Sequence, residues 1–150
     1  LQANSALIEK TGRQQEWIAV RSEEAESILD QARERYAQYQ GQPVLVEGVF
    51  EKGFEHSAIG GLWVDFEPDV AGKAVFDSQV YKQQVEDRRP RPFYEIPVRL
   101  WGTIDASPGG HGHLGGYPAT LTAHRAEVVE SKDQRKLGAA KITVIEDEPP

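Results

Sequence analysis

The segment Ser107–Pro118 reads Ser-Pro-Gly-Gly-His-Gly-His-Leu-Gly-Gly-Tyr-Pro and is the most unusual in the chain. Five glycines, two prolines and two histidines in twelve residues let the backbone turn sharply and approach a ligand closely. His111 and His113 flank a single glycine, and imidazole nitrogen suits Zn²⁺ or Cu²⁺. A third ligand would have to come from His56 or Glu55. Two imidazoles without a positioned third ligand are a weak metal signal, so no metal or other cofactor is expected. The plainer reading of the segment is a hairpin connection.

Asp65, Glu67 and Asp69 recur at every second position and would share one face of a strand. Carboxylates so spaced could hold Ca²⁺ or Mg²⁺. Pro68 interrupts the strand, however, and the glycine-turn loop of an EF-hand is missing. A solvated edge kept soluble by charge is the expected role. Hydrolase and nucleotide chemistry find no G-x-S-x-G, H-E-x-x-H or P-loop. Catalysis is therefore not expected, and a metal-dependent enzyme built on the histidines is the weakest alternative.

Arg88, Arg89, Arg91, Arg99 and Trp101 form a basic and aromatic cluster. Stacking combined with phosphate contact is how single-stranded nucleic acid is held. A solvated arginine loop that offsets nearby acids is the competing and preferred reading. One face of each strand must be core, so one of Trp63 and Trp101 can be exposed and free to stack; which one is left open, with core packing favoured for Trp63 between Leu62 and Val64.

The chain has 150 residues, 39% hydrophobic and 27% charged, with a formal net charge of -7. That size supports one core, and the charge disfavours a generic phosphate-backbone binder. The charge is uneven: residues 44–77 hold seven acids and two lysines, whereas 82–99 carry five basic against three acidic side chains. Cysteine is absent, which removes disulfides, thiolate metal sites and cysteine nucleophiles. No run approaches the roughly 20 apolar residues of a membrane span. The chain begins at Leu1 rather than Met, and Leu1–Ala6 resembles what signal removal leaves behind. A periplasmic or cell-envelope protein is expected, a lipid anchor on the precursor being compatible, with the cytoplasm left open.

These residues need elements to position them. Residues 1–15 read as a loose lead-in, 16–146 as a single domain and 147–150 as a flexible tail. The run Trp17–Val20 is open between a strand and a packed arm. Ser22 and two glutamates start a helix over 22–40, with Ala25, Ile28, Leu29, Ala32, Tyr36 and Tyr39 as its apolar stripe. Gly41 and Pro43 end it. Strands are expected at Val44–Glu51, Leu62–Phe66, Ile96–Asp105, Ala119–Val129 and Lys141–Ile145. Ala74–Val85 fits neither period and leans to a helix or a strand-plus-turn, and Asp87–Pro92 is a loop. Val44–Glu51 and Val98–Asp105 share the pattern V-x-[VL]-x-G-x-[FI]-acid. A glycine inside a strand marks a bulge or bend, as the corners of a small barrel require.

The helix leading through Tyr39-Gln-Gly-Gln-Pro43 into Val44-Leu-Val-Glu-Gly, the strand pair, then Val98-Arg-Leu-Trp-Gly resemble a small bacterial OB-fold domain. The likeness covers about residues 25–130 and points to tRNA-anticodon-binding-like or secreted OB modules. It implies an α+β fold, mainly β, with a five-stranded OB-like barrel and an N-terminal helix. It also implies that the loops after strands one and four flank the ligand face. Those loops would be Lys52–Gly61 and Ser107–Pro118, bringing Phe54, His56, His111, His113 and Tyr117 to one rim. The expected function is a non-enzymatic binding module for a protein or small ligand. A single-stranded nucleic-acid binder is the alternative.

Overall fold

The computed structural model describes residues 27–129 and 139–146. The lead-in 1–15, the run Trp17–Val20, the start of the helix and the tail 147–150 lie outside the described residues. Helix α1 occupies 27–37, so it stops before the expected position 40. Among the described residues six strands follow: β1 (Pro43–Gly53), β2 (His56–Ile59), β3 (Leu62–Phe66), β4 (Tyr94–Asp105), β5 (Thr120–Val128) and β6 (Lys141–Val144). Between β3 and β4 lie a 3-10 turn, α2 (Lys73–Phe76) and α3 (Gln79–Asp87).

Strands β1 to β5 close on themselves in the order β1-β2-β3-β5-β4-β1. Every pairing is antiparallel except β3 with β5. This is a closed five-stranded barrel of OB-like topology. One stave differs from expectation. His56–Ile59, read as part of a loop, is β2, whereas Lys141–Val144 adds to β1 as a sixth strand outside the ring. The four residues of β2, ahead of the Gly60-Gly61 turn, are too few to display an alternating period.

Closure depends on long, coiled β1 and β4. The first half of β1 pairs with β6 and its second half with β2, while β4 runs along almost all of it. The matched mid-strand glycines differ: Gly48 keeps the β1–β4 register unbroken and lies against Ala140, whereas Gly102 sits at a bulge. At Gly102 the β4–β5 register shifts, and a Cβ there would collide with the carbonyl of Thr122. Inside the ring, Val44, Val46, Phe50, Ile59, Leu62, Val64, Val98, Leu100, Ile104 and Leu121 are buried. The segment that fitted neither period plugs one end. Val75 is fully buried, and Phe76 meets Phe50 and Phe66 edge to face at 6.3 and 6.0 Å. Helices of four and nine residues explain why no period was visible there.

Helix α1 packs on the outside of the barrel. Tyr36 donates its hydroxyl to the Gly60 carbonyl at 2.6 Å, and Gln40 Oε1 accepts the Ala106 N–H at 2.6 Å. Ile28, assigned to the apolar stripe, is exposed, whereas Leu29, Ala32, Tyr36 and Tyr39 are partly covered.

Candidate functional site

Strand register decides which side chains share the outer wall. Phe50 faces Ile59 inside, so Glu51, Ala58 and Trp63 must point out. The pairings Glu95–Glu51, Glu51–Ala58, Ala58–Trp63 and Trp63–Thr120 form one row across β4, β1, β2, β3 and β5. His56 stands beside this row, opposite Gly53. Gly53 is needed there, because a Cβ would meet the Pro92 carbonyl at 2.7 Å and the Phe93 ring at 2.9 Å.

Four rings run together over this wall. Phe93 stacks on His56 with centroids 4.1 Å apart. His56 and Tyr117 are 5.8 Å apart, and Tyr117 and Trp63 5.0 Å. All four are partly exposed. His56 Nδ1 lies 2.5 Å from the Tyr117 hydroxyl, and its Nε2 lies 3.2 Å from Glu51 Oε1. Burial, with the Glu51 carboxylate adding to it, pushes the Tyr117 hydroxyl up. A protonated phenol donates to Nδ1, which leaves Nε2–H to donate to Glu51. Trp63 Nε1–H donates to Asp65 at 2.9 Å.

The long loop is tied to the wall rather than swinging free. Ser107 N–H donates to Asp105 at 2.9 Å, and hydrogen bonds from Ser107 hold that carboxyl below its ordinary range. His111 Nε2–H donates to the Ser107 carbonyl at 3.0 Å, and its Nδ1 accepts from the Thr120 hydroxyl at 2.8 Å. His111 and Tyr117 exchange backbone bonds of 3.0 Å in both directions. Gly112 lies directly on the Trp63 indole, where a Cβ would come within 2.5 Å. At the tip, His113 Nε2 meets Glu55 at 2.8 Å and joins the loop to the β1–β2 turn.

The two rim loops therefore meet, as expected, but the five rim residues divide. His56 and Tyr117 belong to the aromatic face, and His111 and His113 serve as ties. Phe54 is 90% exposed and projects from the turn; the phenyl ring against His56 is Phe93 instead. Among the described residues no group of three or more His, Asp or Glu side chains is placed to hold a metal ion. Comparison with protein families, curated proteins and solved structures gives no match to this chain.

The arginine cluster does not assemble into a surface with a free indole. Trp101 is buried on the outer wall with the Arg125 guanidinium 4.7 Å above its ring. Trp63, expected to pack in the core, is instead partly exposed, because Leu62 and Val64 take the core side of β3. Arg99 meets Glu47 at 3.2 Å and Glu127 at 3.1 Å. Arg89 and Arg91 share Asp87 at 2.6 and 2.9 Å, and Arg88 ends α3 in the left-handed conformation. Arg99 lies five residues along β4 from Tyr94, about 16 Å beyond that loop.

Sequence reasoning missed Trp63, Phe93, Glu51 and Glu95 as members of the face. For Trp63 the signal was present: strict alternation with two aliphatic residues turns it outward. For Phe93 and the two glutamates nothing local marks the role: the β1–β2 register sets Glu51 beside His56, and the β1–β4 register sets Glu95 opposite Glu51.

Proposed function

We propose that the domain is a binding module, of the secreted OB kind, whose ligand lies on the aromatic face between the β1–β2 turn and the β4–β5 loop. The observation that carries this reading is the contiguous, partly exposed run Phe93–His56–Tyr117–Trp63. Aromatic faces offer large contact area at small entropic cost, and the Glu55–His113 tie holds the rim in place. We read the histidines as holding the site together rather than as catalysts: His56 and His111 each engage both ring nitrogens in hydrogen bonds. The tRNA-anticodon-binding-like type fits less well, because Glu51, Glu95 and Asp65 on this face oppose a phosphate backbone. The bacterial cell envelope is the proposed compartment, to be tested by fractionation of cells carrying the tagged precursor.

The site is tested without knowing the ligand. A ¹⁵N-labelled domain is titrated with indole, phenol and N-acetylglucosamine while amide and indole resonances are followed. Perturbations should concentrate at Trp63, Tyr117 and His56. Concentration in the groove between α1 and the loop, lined by Leu29, Arg33 and Leu114, would overturn the assignment.

A further inference from the structure

We infer that the occupant of this face is an extended, arginine-bearing segment of a partner protein. The inference rests on the binding-module reading and adds the chemistry of the ligand. Glu51 and Glu95 are direct cross-strand partners on the outer wall, and like charges so placed repel. The Glu51 carboxylate bonds the His56 ring at 3.2 Å, while Gln84 bonds the Glu95 backbone and no described side chain is bonded to the Glu95 carboxylate. Glu95 shares a groove with Arg89 and Arg91, both already bonded to Asp87, so a bound cation relieves the repulsion between the two glutamates.

A second acidic patch lies at the other end of the ring run. Trp63 borders an open groove of about 800 Å³ lined by Asp65, Glu67 and Asp69, with Lys52 as its basic residue. The face thus reads acid, aromatic, acid. Ammonium and guanidinium groups are both attracted to carboxylates and to aromatic faces. Guanidinium is the better match, since it is planar, stacks on rings and bonds carboxylate oxygens in pairs.

The spacing sets the ligand's length. From β4 to β3 along the row there are three inter-strand steps of about 4.8 Å, roughly 14 Å in all. An extended peptide rises about 3.3 Å per residue, so arginines four positions apart reach both acidic ends from one side of the chain. Between them, small residues leave the backbone close to the rings.

The test uses a fluorescein-labelled peptide, Gly-Arg-Gly-Ser-Gly-Arg-Gly, and the folded domain at low salt, read by anisotropy. Saturable binding is expected, falling as salt shortens the screening length. Glu51→Gln with Glu95→Gln should weaken it roughly tenfold, each exposed pair contributing a few-fold. Trp63→Ala should weaken it about threefold to fivefold, the share of an exposed cation–π contact. A Glu34→Gln/Glu146→Gln control, which alters the net charge equally outside this face, should bind as wild type does. The lysine version of the peptide should bind less tightly.

Absence of binding to the arginine peptide overturns the inference. So does equal weakening by the control pair, which would mean diffuse attraction to an acidic protein. Preference for a labelled dT12 oligonucleotide overturns it in favour of nucleic acid. If the arginine peptide fails while the neutral probes still map to Trp63 and Tyr117, the chemistry is wrong and the site stands. If both fail, the site falls too.

Discussion

Replacing Gly112 by alanine asks whether the long loop and the aromatic face form one unit. Gly112 sits at φ 70° and ψ −159°, a region open essentially to glycine. Holding an alanine there costs about 1–3 kcal/mol. The added Cβ would also lie 2.5 Å from Cδ2 and 2.6 Å from Cε3 of Trp63. Non-bonded carbons rest at about 3.5–4.0 Å, so the indole must retreat by about 1 Å or the loop must lift. Retreat strains the 2.9 Å bond from Trp63 Nε1 to Asp65, worth roughly 0.5–1.5 kcal/mol. Lifting breaks the paired His111 and Tyr117 backbone bonds and leaves the barrel core untouched. The expected result is a loop destabilised by about 2 kcal/mol within an intact barrel. The assay is amide hydrogen exchange at His111 and Tyr117, which should accelerate about thirtyfold. The Trp63 indole resonance should move as well. Unchanged exchange at both amides together with an unmoved indole resonance would refute the argument.

Other expectations follow from the same contacts. Gly102→Ala drives a Cβ into the Thr122 backbone, which cannot swing aside, and should cost about 1–3 kcal/mol or more, seen as a lower urea midpoint at unchanged slope. Glu95→Gln removes one of two facing carboxylates and should raise stability by about 0.2–1 kcal/mol. That gain should fade in 1 M salt, and a stability loss at low salt would contradict the repulsion. Asp105 titrates below its ordinary 3.8 because the folded loop favours the carboxylate, first through the Ser107 N–H. Its contribution is therefore fully present above that value and is lost as pH falls through the lower folded one. Exchange at the Ser107 amide should quicken over that acidic window and not between pH 5 and 7, and Asp105→Asn should flatten the dependence.

Much of the barrel was legible because its longest strands alternate cleanly. Val44, Val46, Gly48 and Phe50, or Val98, Leu100, Gly102 and Ile104, put one face in the core whatever their partners are. Within the glycine echo between β1 and β4, Gly102 carried curvature, since a residue lacking Cβ is needed where strands cross closely, as it does over Thr122. The short elements were opaque for the opposite reason. His56–Ile59 and Lys73–Phe76 contain too few residues to show a period, and each is fixed by what it packs against.

The site divides along the same line. The loop Ser107–Pro118 and its histidines stood out by composition, and their meeting with the β1–β2 turn was foreseen. That Phe93 rather than Phe54 stacks on His56, and that Glu51 confronts Glu95, were fixed by register alone. Local sequence sets which way a side chain points along a strand, because the pleat has a period of two. Which neighbours it then meets depends on strands dozens of residues away, and only closure of the barrel brings them together.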